Sequence, residues 1–188
     1  MDAFSYLSVL LSIVLGLGLA NLLTGFAAMV RARNRVDMFW PLPVQMLLFF
    51  LLHVQLWWAL FTLRNFAPWR IQSFLIVLMQ PVVLYLGTAL LVPDIPAEGR
   101  IDLRQVYFRE SRWFFGAIVV ALLVSIAKSY ILGGGPPNRT DLAGHAAFFV
   151  VALAGMILRS DLAHKIIAPL SLAIFSAYIA LLFIALPR

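Results

Sequence analysis

Apolar residues run along this chain in six long blocks, near 4–30, 41–63, 71–92, 113–132, 142–158 and 166–186. A helix needs about 20 apolar residues to cross a hydrocarbon core of about 30 Å. The blocks fit that length and lack the strict alternation of barrel strands, so membrane-spanning helices are predicted. Between them lie turn-forming and charged stretches: "RARNRVD" with "WPLP", "RNFAPWR", "PDIPAEG", "GGGPPNRTD" and "RSDLAHK".

The third connection is the long one. In "DLRQVYFRESRWFFG", Leu103, Val106, Tyr107, Glu110 and Phe114 fall near one helical face, and Arg104, Arg109 and Arg112 fall largely elsewhere. That spacing predicts an amphipathic cytoplasmic helix at about 101–112, lying on the inner leaflet and leading into the fourth span. The expected fold is an all-α membrane protein. It is one transmembrane domain over 1–188, a polytopic bundle of six transmembrane helices with the amphipathic helix before the fourth.

Composition agrees with the pattern. The chain is 63% hydrophobic and 12% charged, whereas soluble domains carry about 25% charged residues. The first block is too long for the apolar core of a cleavable signal and is preceded by Asp2 alone, so it is expected to stay in the membrane. With no cysteine, disulfides, thiolate zinc sites and iron–sulfur clusters are excluded. The net charge of +6 has no regular basic stripe behind it, so no nucleic acid partner is expected.

The basic residues instead read as topology signals. Nine lie in the first, third and fifth loops (Arg31, Arg33, Arg35, Arg100, Arg104, Arg109, Arg112, Arg159 and Lys165), against four on the other side (Arg64, Arg70, Arg139 and Arg188). The richer side is expected to be cytoplasmic and both termini outside. The expected location is a bacterial inner membrane, with anionic headgroups at Arg104, Arg109 and Arg112. Trp40, Trp69 and Trp113 lie at predicted helix ends, where indole rings favour the interface.

Polar residues at membrane depth must find partners inside the protein. Asn21, His53, Gln55, Gln80, Lys128 and His145 stand out, and a polar pathway lined by them is the candidate site. Gln80 precedes Pro81, where the third helix should kink. Lys128 is placed to snorkel to water or to meet Asp141, and Ser125 lies three residues before it on the same face. An isolated Ser-x-x-Lys is weak grounds for a hydrolase, and no catalytic residue is assigned. Haem held by His53 and His145 is an alternative, although the two differ in depth by roughly 6–8 Å at helical rise. No third ligand shares that depth for a metal site, and no other cofactor is expected.

The first helix carries small residues at every fourth position, including Ser12, Gly16, Ala20 and Thr24, with Gly18 and Gly25 on a neighbouring edge beside Asn21. This seam predicts close packing on two sides, with the first helix the most enclosed of the six, and homo-oligomerisation is a further expectation. The leading function is a channel or carrier for a small ion or solute. The rivals are a non-catalytic structural or accessory membrane subunit, and a haem- or quinone-binding redox protein.

Overall fold

The computed structural model describes residues 3–182. Asp2, Arg188 and the end of the sixth predicted span lie outside them. Six helices follow in order: α1 (Ala3–Arg31), α2 (Pro41–Leu60), α3 (Ile71–Leu91), α4 (Leu103–Gly133), α5 (Arg139–Ile157) and α6 (Asp161–Leu182). All six are long and apolar enough to cross a membrane, as a multi-pass membrane protein requires.

Local chemistry sets the helix ends. Pro41 opens α2, where its missing N–H costs nothing. The Asp102 carboxylate accepts from the backbone N–H of Arg104 at 2.8 Å and so caps α4. Asn138 caps α5 through the N–H of Asp141 at 2.8 Å. Gly134, with φ of 69°, closes α4 in the left-handed conformation that favours glycine. Pro81 lies within α3, whose helical run continues through it.

The segment expected to form an amphipathic helix is the first third of α4, which runs 31 residues without a break. At helical rise α4 is about 46 Å long, more than a hydrocarbon core needs. Its buried face, Leu103, Tyr107, Ser111 and Phe114, packs into the protein's own core. Arg104, Arg109, Arg112 and Trp113 are exposed. Trp113 therefore stands inside a helix rather than at its end.

Helices α2 to α6 close into a ring, each packed on the next, with α6 returning to α2. α1 lies outside the ring, against α2 and α3. The expectation that α1 is the most enclosed helix is thus corrected: it packs on one side. Its buried residues, Leu11, Leu15, Gly18, Leu22, Gly25 and Met29, repeat at four and three, the spacing of a heptad seam. Gly18 and Gly25 belong to that seam, whereas Ser12, Gly16, Ala20 and Thr24 are exposed. Where a Cβ on Gly18 would sit, the His53 ring already stands. Around the corresponding point on Gly16 there is open space.

One end of the ring is tied together by its loops. Strand β1 (Val36–Asp37) in the first loop pairs in parallel with β2 (Ile101–Asp102) in the third, Val36 opposite Ile101. Arg35 Nη1 donates to the carbonyls of Pro96 and Ala97 at 3.2 and 2.8 Å. Arg104 bridges at 2.7 Å to Asp161, the first residue of α6 after the fifth loop. The three loops rich in Lys and Arg therefore share one end of the molecule.

Candidate functional site

The two halves of the ring are filled differently. Toward the tied end the axis is solid. Phe49, Tyr107, Phe114 and Phe115 are fully buried, with the Tyr107 and Phe114 rings 5.2 Å apart and those of Phe114 and Phe115 4.7 Å apart. Fully buried His164 joins this packing. Its Nε2 lies 2.8 Å from the Leu158 carbonyl, so that nitrogen carries the proton, and the Tyr107 hydroxyl donates to Nδ1 at 2.9 Å. Nearby, the Gln45 amide donates to Ser171 Oγ at 3.5 Å.

Toward the other end the axis is hollow. A chamber of about 220 Å³ opens there, and every helix of the ring contributes to its wall. Leu52, Leu84, Ile118, Leu122, Phe148 and Phe175 make an apolar inner part. Gln55, Gln80, Ser125, Lys128, Asp141 and His145 supply its polar groups. A second, outer cavity of about 300 Å³ lies under the glycine-rich loop after α4. Leu63, Lys128 and Ser129 border both cavities.

Four of the six polar residues singled out in the sequence thus meet at one place, brought there by α2, α3, α4 and α5. The other two do not. Asn21 is half-buried on α1, outside the ring. His53 is fully buried between α1 and α2, with Nδ1 2.7 Å from the Phe49 carbonyl. That nitrogen must be the donor, which leaves Nε2 an acceptor with no partner among the described residues, packed beside Gly18. Gln55, Gln80, Lys128 and His145 therefore share one chamber, and Asn21 and His53 lie outside its wall. As for haem, His53 and His145 belong to separate environments, and both ring nitrogens of His145 are engaged by the protein.

Within the chamber the polar groups form two sets. Lys128 Nζ donates to Gln80 Oε1 at 2.7 Å and ties α4 to α3. The expected alternative partner, Asp141, is used elsewhere. Ser125 Oγ lies 3.0 Å from His145 Nε2. His145 Nδ1 lies 2.9 Å from the Asp141 main-chain carbonyl and 3.1 Å from its carboxylate Oδ1. Both Asp141 groups are acceptors, so Nδ1 carries a proton, and in the neutral ring Nε2 accepts from the Ser125 hydroxyl. Tyr178 of α6 donates to Asp141 Oδ1 at 2.7 Å and fixes the carboxylate from the far side. The row Ser125–His145–Asp141–Tyr178 links α4, α5 and α6.

Sequence reasoning passed over Tyr178 and His164 and treated Asp141 only as a partner for Lys128. A carboxylate in the first turn of a helix is ordinary, and a tyrosine near a membrane interface is equally so. The one local signal was the spacing of Asp141 and His145, which places them on the same face of α5. No family model, curated protein or solved structure matches the chain.

Proposed function

We propose that the protein is a membrane carrier for a small solute and that the chamber is its binding site. The observation behind this reading is the chamber on the axis of a five-helix ring, with the Lys128 side chain in its wall. Helices that only scaffold a complex have no need of an axial cavity. Here Ala121 and Ser125 leave room that larger side chains would fill. The solute reaches the site from the end bearing the second and fourth loops, and the aromatic packing of the other half closes the far side.

The proposed setting is a bacterial inner membrane, with the tied, basic end cytoplasmic and the chamber opening outward. Exposed Arg112 is then placed to meet anionic headgroups, whereas Arg104 is engaged by Asp161 and Arg109 by Glu110.

Reconstitution of the purified chain into liposomes tests the proposal. Uptake is measured for protons, chloride, short monocarboxylates, their neutral esters and glycerol. At least one is expected to cross faster than in empty liposomes, and Lys128→Gln is expected to slow it. His53→Ala, away from the chamber, is expected to change stability more than flux. No flux of any of these would leave the accessory-subunit reading in its place.

A further inference from the structure

Beyond solute uptake, we propose that the chamber is also a hydrolytic site in which Ser125, His145 and Asp141 cleave short-chain acyl esters. Acyl transfer by serine requires a hydroxyl bonded to an imidazole base, and an acceptor on the other ring nitrogen to hold that imidazole in the right tautomer. Both bonds are present, at 3.0 Å from Ser125 Oγ to His145 Nε2 and 3.1 Å from His145 Nδ1 to Asp141 Oδ1. All three residues line the chamber, so a substrate held there meets the hydroxyl. Asp141 and Tyr178 are positioning residues: the tyrosine hydroxyl holds the carboxylate, and the carboxylate orients the ring.

The remaining requirement is positive charge where the oxyanion develops. Lys128 lies three residues after Ser125 on the same helix and borders the same chamber. Its ammonium group has three N–H donors, and among the described residues Gln80 takes one of them.

The reaction balances with water as the only co-reactant. Ser125 Oγ attacks the ester carbonyl carbon while its proton passes to His145 Nε2. The tetrahedral intermediate collapses, the ester C–O bond breaks, and the alcohol leaves with that proton. The product is an acyl group on Ser125. Water then attacks the acyl carbon, giving one proton to His145. The bond to Ser125 breaks, the carboxylic acid is released, and the serine recovers its proton from the imidazole.

The chamber also sets the substrate class. An apolar cavity of about 150 Å³ holds benzene, so about 220 Å³ with an apolar inner part suits an acyl chain of about four to six carbons. A long lipid chain does not fit.

The test uses the full chain in lipid nanodiscs, with a fluorophosphonate probe and p-nitrophenyl butyrate. Expected results are one labelled serine per chain, mapped by mass spectrometry to Ser125, and saturable ester hydrolysis. Ser125→Ala and His145→Gln are each expected to lower kcat at least about a hundredfold. Asp141→Asn is expected to lower kcat with little change in KM, a split that a purely structural role would not give. Site mapping on the unmodified chain does not depend on any variant folding, and thermal unfolding checks the variants. Label on another serine, no label, or equal hydrolysis by a folded Ser125→Ala variant overturns the inference. Solute flux, measured in parallel, separates the two proposals. Flux without labelling keeps the carrier and removes the esterase; labelling without flux does the reverse.

Discussion

The two halves of the ring each hold a buried histidine with both ring nitrogens engaged, and in each a neighbouring hydroxyl bonds to one of them. At the solid end Tyr107 donates to His164 Nδ1 and the Leu158 carbonyl holds Nε2–H. At the hollow end Ser125 meets His145 Nε2 and Asp141 holds Nδ1–H. The bonding patterns are close analogues. What differs is the space beside them. The rings of Tyr107 and Phe108 stand edge-on to His164, at 5.2 and 4.9 Å between centroids, whereas His145 borders an open chamber. A hydroxyl–imidazole pair locked among rings can only hold helices together. The same pair beside a cavity can also meet a substrate.

The largest expected effect of that difference is on packing. Phe114 is fully buried and touches the rings of Phe49, Tyr107 and Phe115. Phe114→Ala is expected to destabilise the protein by about 3–5 kcal/mol, the usual range for an aromatic removed from a tight core. Phe148→Ala removes a ring that packs on Phe175 but already borders the chamber, and is expected to cost less. Unfolding in a graded mixture of mild detergent and sodium dodecyl sulfate measures both. Equal losses would mean that the two halves are packed alike.

The histidines come next. His164→Ala removes the acceptor from a buried tyrosine hydroxyl, and such unpaired groups cost about 1–3 kcal/mol. His145→Ala frees groups that border a cavity open to solvent, and is expected to cost under about 1 kcal/mol. The same unfolding measurement compares them, and a larger loss at His145 would reverse the assignment of roles.

A related contrast exists on α1. Gly18→Ala drives a methyl group into the His53 ring and is expected to cost about 1–3 kcal/mol through overpacking. Gly16→Ala meets nothing and is expected to be neutral or mildly stabilising, by up to about 1 kcal/mol from helix propensity. A thermal shift with the opposite order would place the seam on the other face.

This contrast also explains what the sequence could and could not reveal. Six helices were legible because their apolar lengths are dictated by the bilayer, whereas the starts of α4, α5 and α6 lie in polar stretches before the apolar blocks and were not. The inward face of α1 was not. Lipid tails are as apolar as a protein core, so Leu11, Leu15 and Leu22 carry no mark that separates them from exposed Ile13, Leu17 and Leu23. The stripe of small residues drew attention to Ser12, Gly16, Ala20 and Thr24, which face outward in the monomer. Polar residues were easier, since each is costly in lipid, and Gln55, Gln80, Lys128 and His145 were found that way. Their grouping depends on how α2, α3, α4 and α5 are rotated against one another. No single helix encodes that, so the meeting of Ser125 with His145 was hidden.

The smallest expected effect on stability falls where the effect on chemistry should be large. Ala121 is 8% exposed and lines the chamber, on the same helix as Ser125 and four residues before it. Ala121→Leu adds three carbons to a void, so nothing need move, and stability is expected to change by under about 1 kcal/mol. The added bulk takes up part of the space proposed for the acyl chain. Hydrolysis of p-nitrophenyl butyrate should then fall about tenfold or more, while the acetate ester, which needs less of that space, should be nearly unaffected. Such a shift in chain-length preference at constant stability would assign the apolar part of the chamber to the acyl group. If both esters slow equally, the chain lies elsewhere, and the hollow half would be hollow for a different solute.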